Sequence, residues 1–258
     1  VQTSNDKIYI VTADHEDDVY VYFHDKNETE RKAEKNILRR SIYDTQMKKY
    51  HSIVPNSYII FPYCNENGVP KLIDGETMRS EYPCVFSYLS DFKAELDQRN
   101  MTLKRTENNW YAYGRSQSLA RFLSGEHLIW PVLSLDSNYV YDNDLVVFTG
   151  GGNGPFYGVE MNSAVEESIF YVQAILNHWL MELLVKKTAS TFRGGYYSHG
   201  KQFIAELPIR RIDFSDKSQK ILHDSIVEKV HRLENVILHI DNSGNSSQKK
   251  VLNVRQQT

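Results

Sequence analysis

The chain has 258 residues, a formal net charge of −3 and 24% charged residues. This composition is typical of a soluble globular protein with one large or two small domains, and it excludes a surface that is basic throughout. Two cysteines, Cys64 and Cys84, are too few for a disulfide framework or a zinc cluster, so we expect reduced thiols in a cytoplasmic protein. No apolar run is long enough to span a bilayer. The opening VQTSNDK lacks a methionine, so we expect a piece of a longer protein.

The first half of the chain is predicted to contain several strands and one helix. Residues 7–13, 19–23 and 57–63 are β-branched and aromatic, which favours strands, and the acidic residues between the first two fit a hairpin loop. Between residues 80 and 99 apolar residues recur at helical spacing. The recurring residues are Val85, Leu89, Phe92 and Leu96.

The second half begins with predicted strands and ends in helices. Strands are expected within residues 127–150 and at 156–161, and an apolar strand before Pro208. A long helix is predicted from Val165 to Lys187, with acidic residues in its first turn and lysines in its last. A second long helix is predicted at 217–240. Its heptad-like stripe consists of Leu222, Ile226, Val230, Leu233, Ile237 and Ile240.

These elements do not alternate regularly as strand, helix and strand. The predicted fold class is therefore α+β, with a mixed or antiparallel sheet region, interspersed helices and a helical C-terminal part.

Charge is segregated along the chain. Residues 31–50 carry seven Lys or Arg against two acids, residues 99–121 five against one, and residues 186–211 six against one. Residues 13–30 and 136–167 are acidic. If the basic segments converge, they form an anion-binding face that includes Arg39 and Arg40. The alternative is that the charges are scattered over a solvated surface.

The glycine-rich stretch FTGGGNGPFYG, residues 148–158, invites a phosphate-binding interpretation. It matches neither G-x-x-x-x-G-K-[ST] nor G-x-G-x-x-G, and strands rather than a helix are predicted on both sides. Strand, glycines, Asn153 and strand predict a hairpin instead.

No convincing catalytic set is found in the sequence. Asp18, Glu30 and Lys32 mimic the spaced acid and E-x-K of metal-dependent nucleases, but that motif normally occupies a buried strand and here lies in a polar segment. The chain has no G-x-S-x-G, no H-E-x-x-H and no Asn-Pro-Pro-Tyr run.

Two segments have the chemistry of nucleic-acid contacts. WYAYGRSQ, residues 110–117, combines aromatic rings with Arg115, Ser116 and Gln117, which suit phosphates and base edges. STFRGGYYSHGKQFIAELPI, residues 190–209, places Arg193 and Lys201 around a glycine turn that lets phosphate approach the backbone. The structural alternatives are a core position for Trp110 and Tyr113 with Arg115 in a salt bridge, and an ordinary helix-to-strand loop.

The order of these segments resembles the C-terminal specificity, or target-recognition, domain of TaqI-type DNA adenine methyltransferases, which type II and type IIG restriction enzymes also carry. The resemblance spans about residues 2–212, and His178 stands where serine is more common. The matching stretches are QTSNDKIYIV, SYIIFPY, YPCVFSYLSDFKAELDQR, WYAYGRSQ, YVQAILNHWLMELLVKK and FRGGYYSHGKQFIAELPI.

The resemblance implies a DNA-reading domain without chemistry of its own. In this family the catalytic domain lies N-terminal to the region, binds S-adenosylmethionine and carries the Asn-Pro-Pro-Tyr-like motif, so we expect no cofactor in this segment. The expected partners are double-stranded DNA and the methyltransferase domain, with no membrane. The residues assigned to DNA contact are Trp110, Tyr111, Arg115, Ser116, Gln117, Arg193, Gly194, Gly195, Tyr196, Tyr197 and Lys201, with Arg39 and Arg40 from the basic segment.

Three regions are predicted. Residues 1–212 are the recognition domain, 213–241 a long helix that packs on it or on a partner, and 242–258 a flexible tail. The alternatives are an interaction or oligomerisation module built on helix 217–240, half of a type I specificity subunit, and a complete nuclease.

Overall fold

The structure is a computed structural model that describes residues 1–115, 118–150 and 155–255, with side chains as far as Ser243. The chain divides into two compact units. Unit 1 comprises Val1–Thr45, Val54–Gly125 and Asn143–Phe156, and unit 2 comprises Gln46–Ile53, Glu126–Asp142 and Tyr157–Thr258. Unit 2 includes residues on both sides of position 212, and the division into three functional regions stays a prediction.

Strands and helices are interspersed along the chain, and the predicted α+β class is confirmed. The strands are β1 (Ile10–Val11), β2 (His15–Glu16), β3 (Tyr20–His24), β4 (Glu30–Glu34), β5 (Leu38–Ile42), β6 (Ser57–Ile60), β7 (Tyr63–Glu66), β8 (Val69–Leu72), β9 (His127–Pro131), β10 (Leu133–Ser134), β11 (Val140–Asp142), β12 (Val147–Phe148), β13 (Phe156–Glu160), β14 (Thr191–Phe192) and β15 (Tyr196–Ser198). The helices are α1 (Asp6–Tyr9), α2 (Gly75–Glu81), α3 (Pro83–Asp91), α4 (Lys93–Leu96), α5 (Ile169–Leu176), α6 (Trp179–Thr188), α7 (Lys201–Ile204) and α8 (Lys217–Arg255). None of these described helices is both long and apolar enough to cross a membrane.

Unit 1 is built around a four-stranded sheet in the order β1-β6-β5-β12, in which β12 runs parallel to β5 and the other pairs are antiparallel. A meander β2-β3-β4 and a hairpin β7-β8 accompany it. The β7-β8 turn uses Asn67 and Gly68, both with positive φ, as a tight hairpin requires. The sequence prediction of strands at 19–23 and 57–63 is confirmed for β3 and β6.

The start of unit 1 differs from the prediction. Residues 7–13 were expected to form one strand, but α1 precedes the short β1. The carbonyl of Asn5 accepts hydrogen bonds from the amides of Ile8 and Tyr9, and both of those side chains are buried. In a strand with one exposed face, consecutive side chains alternate between buried and exposed, so two consecutive buried residues do not fit it. A helical turn forms here instead of the predicted strand.

Unit 2 contains two three-stranded sheets, β11-β9-β13 and β10-β15-β14. Its core combines β9, β11, α5 and α8. The buried core residues are Leu128, Trp130, Tyr139, Ile169, Tyr171, Val172, Leu176 and Ile212. The core residue Trp130 hydrogen-bonds the carbonyl of His199, just after β15, and so connects this core to the second sheet.

Two helical predictions for unit 2 are corrected. The helix expected from Val165 to Lys187 is divided into α5 and α6, because the buried Asn177 side chain hydrogen-bonds the backbone of Tyr139 and His178 caps the amide of Leu180. The strand expected before Pro208 is also wrong. That segment begins with the short helix α7, whose turn is closed by hydrogen bonds to the carbonyl of Gly200.

The hairpin predicted at the glycine-rich stretch is not formed between its flanking strands. β12 pairs with β5, whereas β13 belongs to the sheet of β9 and β11. Gly150 donates its amide to the carbonyl of Val1 instead of to a hairpin partner. Residues 151–154 lie outside the described part of the chain.

The terminal helix α8 confirms the predicted helix at 217–240 and continues to Arg255. Its heptad-like stripe is only partly buried, since Val230 lies in the core while Leu233 and Ile240 are exposed. Helical backbone therefore extends into residues 242–255, whose flexibility stays a prediction.

Candidate nucleic-acid interface

The most exposed of the predicted contact segments is the hairpin formed by β14 and β15. Phe192 pairs with Tyr196 and Thr191 with Tyr197, which leaves a three-residue turn of Arg193, Gly194 and Gly195. Both glycines have positive φ, 84° and 81°, a conformation that side chains with a Cβ rarely adopt. We name Phe192–Tyr196 the hairpin tip. All its residues, and Ser190 and Thr191 before it, are exposed.

One face of the sheet β10-β15-β14 packs against α6. The ammonium of Lys186 on α6 lies 5.5 Å from the ring centroid of Tyr197, in cation–π contact. Side chains alternate along a strand, so His199, just after β15, points to the same side as Tyr197. This face is therefore covered by the helix.

A buried polar cluster joins the hairpin base to α6. Glu182 accepts a hydrogen bond from Ser137 Oγ at 2.7 Å and contacts His199 Nε2 at 2.9 Å, while Lys186 Nζ lies 3.3 Å from its other oxygen. Burial by itself would raise the pKa of Glu182, but the hydrogen bonds from His199 and Ser137 outweigh it, so the pKa is lowered. In a nucleophilic triad the histidine lies between the serine and the carboxylate, whereas here the carboxylate lies between the serine and the histidine. The cluster therefore braces the hairpin and is not a nucleophilic triad.

The backbone of the hairpin base is fixed as well. The indole of Trp130 donates to the carbonyl of His199 at 2.8 Å, and the His199 amide donates to the carbonyl of Val132 at 2.6 Å. Ser198 donates its amide to the carbonyl of Ser190 at 3.0 Å. A rigid base of this kind holds the exposed tip in one orientation, which lowers the entropy lost on binding.

The sequence segment that contains the hairpin has exposed cations. Arg193 lies at the hairpin tip, Lys201 is exposed on α7, and Lys187 is exposed on α6. Between Ser190 and Ala205 the sequence contains no Asp or Glu. An anion can therefore approach Arg193 beside two glycines that have no side chains.

The aromatic part of the second predicted segment, in unit 1, is in the core. Trp110, Tyr111 and Tyr113 are buried. For Trp110 and Tyr113 this agrees with the alternative that they occupy core positions. Tyr111 and Tyr113 donate their hydroxyls to the carbonyls of Ile73 and Ile60. In this conformation Trp110 and Tyr111 support the fold, and a direct DNA contact from either ring stays a prediction.

The buried side chain of Arg99 organises this segment and is not among the residues predicted from the sequence. Its guanidinium donates to the carbonyls of Thr3, Trp110 and Ala112 at 2.8–3.0 Å and to that of Leu96, the last residue of α4, at 3.0 Å. Carbonyl acceptors around an arginine leave no pattern in the sequence, which explains why the residue was missed. Glu182 in unit 2 was also missed, because its partners Ser137 and His199 are distant in the sequence.

Other predicted residues of unit 1 are more accessible. Arg115 is exposed and its amide donates to the carbonyl of Gln2 at 3.1 Å, whereas Ser116 and Gln117 lie outside the described residues. Arg39 and Arg40 are exposed on β5, where the Arg39 guanidinium lies 5.8 Å from the Phe61 ring centroid. The basic segments fall in two units, and their convergence on one face stays a prediction.

The nuclease alternative lacks a suitable geometry. Glu30 and Lys32 do lie on a strand, β4, but Glu30 pairs with His24 at one end of the meander while Asp18 lies beyond Tyr20 at the other. Within the described residues no group of three His, Cys, Asp or Glu side chains could hold a metal ion.

Comparison with known proteins relates the chain to restriction–modification enzymes. It is 30% identical over 237 residues, 89% of its length, to the type II restriction enzyme and methyltransferase RM.Eco57I of Escherichia coli. The match spans 24% of that protein, so the chain corresponds to about a quarter of its relative. No family model matches the sequence.

Proposed function

We propose that this chain is a DNA target-recognition part of a restriction–modification protein, of the kind that TaqI-type adenine methyltransferases carry. In this proposal the segment binds duplex DNA, and chemistry is performed by a methyltransferase part elsewhere in the parent protein. The similarity to RM.Eco57I supports the restriction–modification context. The resemblance of the six sequence stretches supports the recognition role.

One observation carries the DNA-binding proposal: an exposed, positively charged hairpin tip stands on a buried, hydrogen-bonded base. β-Ribbons are among the elements that enter DNA grooves. Arg193 neutralises a phosphate or reads a base edge, and Lys187 and Lys201 are further exposed cations in the same segment of the sequence.

Fluorescence anisotropy with a labelled duplex of randomised sequence tests the proposal. Affinity should fall steeply as salt rises, because Lys and Arg side chains that bind phosphates release counterions from the DNA, and added salt opposes this release. Arg193→Ala should weaken binding about 5- to 30-fold and reduce the slope of log affinity against log salt by about one unit. Arg232→Ala removes the same charge from an exposed position of α8 and is the matched control.

Two results would contradict the proposal. A duplex affinity that does not change with salt, or no binding at low salt, would remove DNA binding from this chain. Equal effects of the Arg193 and Arg232 variants would show that the hairpin contributes only to the net charge.

A cofactor test follows from the division of labour. We propose that S-adenosylmethionine binds in the methyltransferase part and that this chain has no activity by itself. The cofactor should then leave the melting temperature of the 258-residue chain unchanged. A clear rise would reveal a cofactor site within it.

A second candidate function is self-association through α8. Leu233, Val236 and Ile240 form an exposed apolar stripe at helical spacing on α8. Sedimentation over a range of concentrations measures the assembly state. If the chain dimerises through this stripe, Leu233→Glu abolishes the dimer, and a constant monomer mass contradicts the idea.

A further inference from the structure

The sheet face opposite α6 exposes a row of large apolar side chains. Tyr197 faces the helix, so its neighbour Tyr196 and the paired Phe192 point away from it. Leu133 pairs with Ser198, which follows Tyr197 and points outward by strand alternation, and Leu135, just after β10, lies beside Gly195 of the turn. Phe192, Tyr196, Leu133 and Leu135 are 49%, 41%, 45% and 51% exposed.

The Tyr196 ring and the Leu135 side chain lie against the two glycines of the turn. A Cβ built on Gly194 would lie 3.5 Å from the ring of Tyr196, so that ring covers the glycine. A Cβ on Gly195 would lie 3.9 Å from Leu135 Cδ2, so Leu135 supports the turn from the neighbouring strand. An ordered ring has little conformational freedom to lose on binding, and its apolar face is available to a partner.

The surrounding charge indicates the chemistry of the partner. Arg193 lies between the two rings in sequence, and the tip contains no acidic residue. The carboxylate of Asp136, one residue after Leu135, is bound to Lys186 Nζ at 3.0 Å. A flat apolar face beside an unopposed positive charge fits a polyanion with exposed planar groups, which describes DNA bases and their phosphates.

We infer that Phe192 and Tyr196 stack against bases at an opened step of the bound duplex while Arg193 holds the adjacent phosphate. This role rests on the proposed function, since it specifies how the hairpin tip contacts DNA. Apolar wedges of this size unstack and kink a duplex at one step in other proteins. Leu135 lies beside Gly195 and supports the turn that carries the wedge.

Anisotropy titrations with the randomised duplex measure the contribution of the ring. Phe192→Ala should weaken binding about 5- to 150-fold, the range observed when a stacking aromatic is removed. Phe192→Trp should retain affinity because it keeps a stacking surface. Trp179→Ala, which removes an exposed aromatic side chain from α6, is the matched control and should leave affinity within about twofold.

A fluorescence signal tests stacking directly. In a Trp179→Phe background the other two tryptophans, Trp110 and Trp130, are buried. The exposed indole introduced by Phe192→Trp should be quenched when duplex is added, whereas Trp179→Phe alone should change little. An unquenched indole in a variant that binds DNA would overturn the stacking role.

The outcomes separate this inference from the proposed function. If Arg193→Ala weakens binding and Phe192→Ala does not, the ring contacts no base and only the DNA proposal survives. If neither variant weakens binding, both fail. A Phe192→Ala variant that changes sedimentation mass and leaves DNA affinity intact would make the apolar face a contact between copies and overturn the inference.

Discussion

Residues 110–115 of unit 1 and the hairpin of unit 2 have similar compositions and opposite placements. Each combines aromatic rings with glycine and one arginine. In unit 1 the rings of Trp110, Tyr111 and Tyr113 are buried, while in unit 2 Phe192 and Tyr196 are exposed. The same residue types therefore support a core in one place and lie exposed on the surface in the other.

The neighbours of each segment explain the difference. In unit 1 the guanidinium of Arg99 binds the carbonyls of Trp110 and Ala112 and draws the backbone into the core. In unit 2 the buried groups lie at the hairpin base, and two positive-φ glycines turn the chain outside the core. Aromatic composition alone does not identify a nucleic-acid surface, because exposure decides which rings can stack.

The largest expected effect is a difference in the free energy of unfolding between a ring removed from the buried segment and one removed from the exposed hairpin. Trp110→Ala should lower the free energy of unfolding by about 3–5 kcal/mol, because it leaves a cavity in the core of unit 1. Phe192→Ala should change it by less than about 0.5 kcal/mol, since the ring is exposed. Urea denaturation measures both values. Similar losses in the two variants would contradict the contrast.

The next effect concerns the arginine that organises unit 1. Arg99→Met should lower the free energy of unfolding by about 2–4 kcal/mol, because buried carbonyls such as that of Thr3 lose their donor. Arg39→Met, the same substitution at an exposed position, is the control and should have an effect below about 0.5 kcal/mol. If Arg99→Met were as stable as the control, Arg99 would have no organising role.

Much of the fold could be predicted from the sequence because several elements depend on patterns among neighbouring residues. The α+β class, β3, β6 and the start of α8 follow from alternation, apolar content and helical spacing. The break between α5 and α6 was missed because it depends on Asn177 binding the backbone of Tyr139, which is distant in sequence. The glycine-rich stretch was misread because β12 takes a partner, β5, about a hundred residues earlier.

The candidate site was only partly readable for the same reason. Arg193 and its two glycines can be recognised in the sequence because a turn at consecutive glycines depends on those residues alone. The burial of Trp110 and the bracing by Glu182 depend on residues far away in the chain. The sequence around Phe192 does not indicate that its ring is exposed, because the exposure depends on the sheet face on which the residue lies.

A smaller effect tests the glycine turn of the hairpin. Gly195→Ala should lower the free energy of unfolding by about 1–2 kcal/mol, because its φ of 81° strains any residue with a Cβ. Gly75→Ala is the control, since a Cβ there would meet its nearest neighbour at an ordinary 3.7 Å and its φ lies outside the strained positive range. Thermal unfolding compares the two variants. An equally mild effect at both positions would show that the turn is not constrained.

The smallest expected effect is a difference in pH response between the two braces. In unit 1 the Arg99 guanidinium is held by backbone carbonyls, which do not titrate, so this brace should not respond to pH. The pKa of Glu182 is lowered in the folded protein, because the hydrogen bonds from His199 and Ser137 outweigh the effect of burial. Its contribution is therefore fully present above the unfolded pKa of about 4.3 and is lost as pH falls through the lowered value.

Nitrogen-15 labelled tryptophan reports on each brace separately. The Trp130 indole donates to the His199 carbonyl, next to Glu182, whereas Trp110 lies in unit 1 beside the Arg99 brace. Between pH 7 and pH 3.5 the Trp130 indole signal should shift and the Trp110 signal should stay. In Glu182→Gln, which keeps the shape and removes the titrating group, the Trp130 shift should disappear. If it persists, another acid controls the hairpin base, and the hairpin is held independently of Glu182.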